Sequence, residues 1–160
     1  MNKNEIISFL EKEKLVAIIR QKNRQKIQPI ISALVDGGIK VLEITSNTPG
    51  FLEEIRNARN LYPNILVGAG TITNKDLAAE AVAAGAQFLV TPNVDVSIIP
   101  VAHSHGIPVI MGALTPSEIC VANEHGADII KLFPAGIFGM DYFKAIKGPL
   151  SNLKFFVVRS

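Results

Sequence analysis

The sequence predicts a barrel of parallel strands wrapped by helices, and three observations carry that reading. Short apolar segments alternate strictly with amphipathic ones along the whole chain. Strand segments such as Val41–Thr45 and Ile129–Phe133 are apolar on both faces, as strands covered on each side by helices are in a parallel sheet. Gly85, Gly106, Gly126 and Gly148 each end a helical segment and are separated by 21, 20 and 22 residues, with an apolar strand starting a few residues after each. Leucine-rich repeats have a similar period, but their L-x-x-L-x-L signature is absent. An open doubly wound sheet usually breaks its pattern at a switch point, so the even repeat favours closure into a barrel.

The elements follow in order. Lys3–Lys12 is an amphipathic helix with Ile6, Ile7, Phe9 and Leu10 as its apolar positions, and Leu15–Ile19 is the first strand. Arg24–Asp36 is a helix stopped by Gly37-Gly38 in the manner of a C-terminal glycine cap. Val41–Thr45 is the second strand, and Thr48-Pro49-Gly50 opens a helix with its apolar face at Phe51, Leu52, Ile55 and Leu61. Ile65–Val67 is the third strand. Gly68-Ala69-Gly70-Thr71 is read as the turn after it, and Asn74 as the N-cap of an alanine-rich helix ending at Gly85. Phe88–Val90, closed by Thr91-Pro92-Asn93, is the fourth strand, and a helix through Ile98 and Val101 stops at Gly106. Pro108–Met111 is the fifth strand. Thr115-Pro116-Ser117-Glu118 is a capping box with proline at the first helical position, opening a helix that stops at Gly126. The sixth strand carries Lys131, a short helix passes through Phe143 and Ile146, and Lys154–Val158 is the seventh strand.

With 160 residues, 48% of them hydrophobic and 19% charged, the chain can bury the core of one domain. The net charge is +2 and the basic residues are scattered; the densest run, Arg20–Lys26, falls where a strand gives way to a helix, so nothing asks for nucleic acid. Glu5, Glu11 and Glu13 surround a short apolar stripe at the N-terminus, unlike a signal peptide, and no apolar run has the length of a membrane span. Cys120 is the one cysteine, which excludes an intrachain disulfide and a zinc-binding cysteine cluster and is compatible with a reducing cytoplasm. It is placed in the apolar face of its helix. His103, His105 and His125 precede helix-ending glycines, where their side chains suit the last carbonyls, and they lack the spacing of metal ligands.

Two ionisable side chains interrupt apolar strands. Lys131 lies in Ile129-Ile130-Lys131-Leu132-Phe133-Pro134, a run too short for a helix. A lysine there either reaches water at the strand end along its apolar stem, or it is desolvated, which lowers its pKa and makes the amine a nucleophile towards a carbonyl carbon. Glu43 is its counterpart on the second strand. Alternation puts Val41, Glu43 and Thr45 on one face, and Ile129, Lys131 and Phe133 on one face. Inner layers of a barrel come from alternate strands, so Glu43 can face Lys131 across the interior. The pair reads either as a buried ion pair or as an amine that forms an imine beside a carboxylate that moves protons. Thr71 follows Gly68-Ala69-Gly70, where backbone can approach an anion and a hydroxyl can donate to a carboxylate; a tight strand-to-helix turn explains the same glycines. The third glycine and later acidic residue of a dinucleotide fingerprint are missing.

Together and in this order, Val16-Ala17-Ile18-Ile19-Arg20, Leu42-Glu43-Ile44-Thr45, Gly68-Ala69-Gly70-Thr71, Thr91-Pro92 and Ile130-Lys131-Leu132-Phe133-Pro134-Ala135 carry a resemblance. From about Leu15 to Phe156 the chain resembles the bacterial class I 2-keto-3-deoxy-6-phosphogluconate aldolases, also called 4-hydroxy-2-oxoglutarate aldolases. The resemblance implies an α/β fold of the (β/α)8 TIM-barrel type, usually a cytoplasmic homotrimer. It implies cleavage of a small-molecule keto-acid phosphate to pyruvate and glyceraldehyde 3-phosphate, with no metal or other cofactor and no nucleic-acid or membrane partner. Carried over by position, Lys131 is the Schiff-base lysine and Glu43 the general acid/base; Thr71 binds the pyruvate carboxylate, Pro92 and Phe133 form the apolar wall, and Arg20 and Asn47 contact substrate.

Two departures bear on that expectation. Many members carry arginine where Asn47 stands; asparagine can hydrogen-bond but has no charge, which shifts substrate preference. The family continues after its seventh strand into Thr-Gly-Gly and an eighth strand whose loop binds phosphate, whereas here Phe155-Phe156 is followed by Val157-Val158-Arg159-Ser160. Barrels of this kind start near roughly 200 residues. The expectation is one incomplete barrel over residues 1–160, about seven strand-helix units with the eighth missing plus an N-terminal helix, and poor turnover of phosphorylated substrate. Three readings follow: an imine-forming aldolase, a sugar-phosphate isomerase or decarboxylase barrel without a covalent intermediate, and a truncated inactive chain.

Overall fold

A computed structural model describes residues 1–158 and arranges seven strands in one sheet, in chain order, every pair parallel. The chain enters through α1 (Lys3–Glu13) and β1 (Ala17–Ile19), then a 3-10 turn (Arg24–Lys26) runs into α2 (Ile27–Asp36). Next come β2 (Val41–Thr45), α3 (Phe51–Leu61), β3 (Leu66–Gly70), α4 (Lys75–Ala83) and β4 (Leu89–Val90). The remainder is α5 (Ile98–His103), β5 (Val109–Ala113), α6 (Pro116–Glu124), β6 (Ile129–Leu132), α7 (Ala135–Lys147) and β7 (Phe155–Val157). The predicted alternation is the observed one. Every residue of β2, β3, β5 and β6 is buried, which is why these strands lack polar-apolar alternation. The sheet curls: β1 and β7, which pair only with β2 and β6 respectively, line opposite sides of one groove of about 170 Å³ through Ile18, Phe156 and Val157.

Local chemistry sets the helix boundaries. Asn2 caps α1 by accepting from the Glu5 amide at 3.0 Å, while Glu5 accepts from the Asn2 amide at 2.8 Å, and Ile6, Ile7 and Leu10 face the core. The Thr115–Glu118 box opens α6 as the sequence predicts, with Pro116 at its start. Gly38, Gly85, Gly106 and Gly126 all take positive φ where a helix gives way to the next strand. No helix among the described residues is long and apolar enough to cross a membrane.

Several expectations are corrected. Strand β3 runs on to Gly70, so Gly68-Ala69-Gly70 is not a turn but the buried end of a strand. The first strand covers only Ala17–Ile19. Cys120 is exposed rather than core, because α6 turns Ile119 and Ala122 to the sheet. Leu61 is exposed at the end of α3, whose inner face is Phe51, Glu54, Ile55 and Ala58. Buried Glu54 is held by Gln28 and Arg24, so its charge is compensated. His105 and His125 do approach helix carbonyls, Val101 O at 3.0 Å and Val121 O at 2.8 Å. His103 instead meets Asp128 at 2.8 Å.

Candidate active site

The interior face of the barrel wall follows from register. Ile18, Glu43 and Gly68 are neighbours across β1, β2 and β3, and Gly112, Lys131 and Phe156 are neighbours across β5, β6 and β7. Paired residues of adjacent parallel strands share a face, so both ionisable side chains project into the curl. Glu43 is 2% exposed and Lys131 is 5% exposed. Both charges therefore sit where water cannot solvate them, which destabilises the charged form of each.

Burial raises the Glu43 carboxyl above its ordinary range, opposed first by the Lys131 charge and then by Arg20. Lys131 is lowered by burial, opposed by Glu43 and reinforced by Arg20. These mutual influences place the three residues in one electrostatic neighbourhood, Glu43 within β2, Lys131 within β6 and Arg20 just past the end of β1. No contact within 4.0 Å joins Lys131 to Glu43, so the two do not form a close ion pair. Glu43 Oε1 is buried without a hydrogen-bond partner. A carboxylate oxygen left bare in a dry interior is unfavourable for folding, and such a group is kept where function uses it.

Three glycines make this arrangement possible. A Cβ on Gly70 would lie 1.8 Å from Glu43 Oε1, so the carboxylate occupies the volume where β3 has no side chain. A Cβ on Gly68 would meet the Phe88 ring at 2.4 Å. On β5, Gly112 pairs with Lys131, and a Cβ there would lie 2.5 Å from the Pro92 carbonyl carbon and 2.6 Å from Thr91 O. The Thr91-Pro92 loop thus lies over Gly112, fixed by the bond from the Gly112 amide to Thr91 Oγ1 at 2.9 Å. That brings Pro92 to the strand beside Lys131. Phe133 closes the other side, its ring centroid 4.9 Å from Lys131 Nζ.

Thr71 follows β3 directly, half-buried, with φ of 57°. Left-handed backbone at a β-branched residue is uncommon and strained. Asn47 is exposed at the end of β2, its Oδ1 accepting from Thr45 Oγ1 at 2.7 Å. Arg20 is exposed at the end of β1. The site therefore gathers Lys131, Glu43, Phe133, Pro92 and the Arg20 charge; Thr71 and Asn47 lie just past the carboxyl ends of β3 and β2. Sequence reasoning missed Gly70 and Gly112 as space-makers and Ser46 as a hydrogen-bonding neighbour of Thr71; glycines two apart on a strand beside a buried acid were the available signal. A cavity of about 570 Å³ lies elsewhere, against α1 and β7, and touches neither Lys131 nor Glu43.

Residues 6–158 match the model of the KDPG and KHG aldolase family. The chain is 37% identical over 142 residues to 2-dehydro-3-deoxy-phosphogluconate aldolase of Dickeya dadantii, covering 88% of this chain and 67% of that protein. It is 36% identical over 149 residues to KHG/KDPG aldolase of Escherichia coli, covering 92% and 70%. Among solved structures it resembles KDPG aldolase from Legionella pneumophila with pyruvate captured as a covalent carbinolamine intermediate: TM-score 0.82, 32% identity, covering 89% of this chain and 70% of that one.

Proposed function

Because the chain belongs to the KDPG and KHG aldolase family, whose named relatives are aldehyde-lyases, we propose that it cleaves a 4-hydroxy-2-keto acid, phosphorylated or not, to pyruvate and an aldehyde through an imine on Lys131. The observation that carries this reading is a buried amine on β6 whose pKa is lowered, set near a buried carboxylate that is not tied up in an ion pair.

In the proposed sequence, neutral Lys131 Nζ adds to the C2 carbonyl, and the carbinolamine hydroxyl takes up a proton from solvent and leaves as water, giving a protonated imine. Ionised Glu43 takes the proton of the C4 hydroxyl as the C3–C4 bond breaks. The bond's electron pair moves into the imine, leaving an enamine, and the C4 carbon departs as an aldehyde. Protonated Glu43 then returns the proton to C3, and water hydrolyses the resulting protonated imine to pyruvate and neutral lysine, releasing to solvent the proton taken up at dehydration. The imine is the electron sink, so this route asks for no cofactor. Thr71 and Arg20 hold the carboxylate, Asn47 hydrogen-bonds substrate at the mouth, and Pro92 with Phe133 walls the reacting carbons from water. The expected homotrimer belongs to the same proposal; sedimentation equilibrium showing a monomer would remove it.

Trapping tests the central step. Pyruvate with borohydride should reduce the imine to a stable secondary amine and add a permanent mass to the wild-type chain, with none on Lys131→Ala. Equal labelling of the variant would move the nucleophile elsewhere.

A further inference from the structure

We infer that Ser46 is a positioning residue that sets Thr71 to receive the substrate carboxylate; the inference rests on the proposed function and assigns it a part that lies outside the interior layer. Ser46 reaches Thr71 from the loop after β2 in two ways. Its amide donates to Gly70 O at 2.9 Å, and its hydroxyl donates to Thr71 O at 2.7 Å. These carbonyls belong to the two peptide groups that flank the Thr71 α-carbon. The Ile72 amide, in the second of those groups, donates to Val90 O at 3.1 Å. Thr71 is thus gripped on both sides while its φ stands at 57°. Left alone, a β-branched residue leaves that conformation for an extended or right-handed one.

The Thr71 hydroxyl itself makes no hydrogen bond among the described residues, although Thr45, Thr48, Thr91 and Thr115 all do. A half-buried hydroxyl without a partner, on a strained residue at the carboxyl end of the sheet, is set to donate to a ligand. The backbone grip supplied by Ser46 decides where that hydroxyl points. Removing the Ser46 hydroxyl deprives Thr71 O of its donor and releases one of the two restraints on the strained peptide.

The test measures pyruvate half-saturation by borohydride trapping, the trapping rate at saturation, and thermal unfolding. Four variants are compared with wild type: Ser46→Ala, Ser46→Thr, Thr71→Ala and the double Ser46→Ala/Thr71→Ala. Ser46→Ala should raise half-saturation about tenfold, the size of one lost hydrogen bond to a charged group, and leave the rate at saturation within about twofold. Ser46→Thr, which keeps a hydroxyl, should restore affinity. The double variant should bind no more weakly than Thr71→Ala, since Ser46 acts through Thr71. Further weakening in the double variant, or a lower melting temperature in Ser46→Ala with unchanged half-saturation, would overturn the inference and leave the aldolase reading intact. Unchanged half-saturation in Thr71→Ala would overturn both this inference and the carboxylate role of Thr71. Failure of wild type to trap pyruvate would overturn the proposed function along with it.

Discussion

Gly70→Ala tests how Glu43 is placed. The added Cβ would sit 1.8 Å from Glu43 Oε1, 2.5 Å from its Cδ and 2.7 Å from its Cγ. Real Cβ contacts essentially never fall under 3.0 Å, so the carboxylate oxygen must retreat by more than 1 Å. Rotation about the last bond cannot relieve three clashes at once, and Glu43 is 2% exposed, so the whole side chain must find another rotamer in a filled interior. A displacement of about 1 Å at a reacting group can lower turnover on the order of 10²-fold. Overpacking of the core adds a loss of about 1–3 kcal/mol in stability.

Pyruvate release from keto-acid substrate should therefore fall about a hundredfold in Gly70→Ala, approaching the level of Glu43→Gln, where loss of a positioned acid/base is expected to lower turnover by about 10² to 10⁴. Pyruvate trapping on Lys131 should persist in both. Gly148→Ala is the control, since its Cβ would meet Ala145 O at an ordinary 3.5 Å. Gly70→Ala that melts cooperatively and turns over like wild type would refute the placement of Glu43 described above.

Two further outcomes are expected. Asp128 joins Lys3 at 2.8 Å and His103 at 2.8 Å and accepts the Val109 amide at 2.9 Å, so Asp128→Asn should lower stability in urea by about 1–3 kcal/mol without changing turnover; an unchanged midpoint would deny the cluster its role in anchoring α1. Glu43 keeps its proton above 4.5 when folded and releases it near there when unfolded, so the folded state binds more protons in that window and stability falls as pH rises from 4.5 to the raised value. Glu43→Gln, with no proton to lose, should gain melting temperature relative to wild type as pH rises through that window, and a difference independent of pH would contradict it.

The parts of the site visible in the sequence are those that break a local pattern. Lys131 and Glu43 stand out because a charge inside an apolar strand conflicts with its surroundings within a few residues. Strand-helix alternation was legible for the same reason, being written in local periodicity and helix-ending glycines. Gly68 and Gly70 also stand out in the sequence, but they suit a turn as well as a strand, because glycine is permissive of both turns and close approach. Which one applies depends on Phe88 and Glu43, 20 and 27 positions away, and only the register of the strands brings them alongside. The bond from Ser46 to Thr71 O spans 25 positions and has no local signature. Cys120 and Leu61 failed for a simpler reason: helix periodicity gives a stripe, but how far that stripe extends is set by the sheet it packs on.

The two ionised forms that the proposed chemistry must avoid or preserve are governed by different forces. Desolvation acts on both residues towards neutrality, raising Glu43 and lowering Lys131. Left to burial alone, the pair would rest as a neutral amine beside a neutral acid, able to form an imine but unable to take the hydroxyl proton. The mutual attraction of Glu43 and Lys131 works the other way and favours an ion pair, which disables the nucleophile. Arg20 breaks this symmetry. Its positive charge lowers Glu43 and lowers Lys131 as well, so it favours the carboxylate and the free amine together. Arg20 itself is exposed at the end of β1, while its field reaches both buried groups. The separation of more than 4.0 Å between amine and carboxylate completes the arrangement, since neither group is tied up in a close pair with the other.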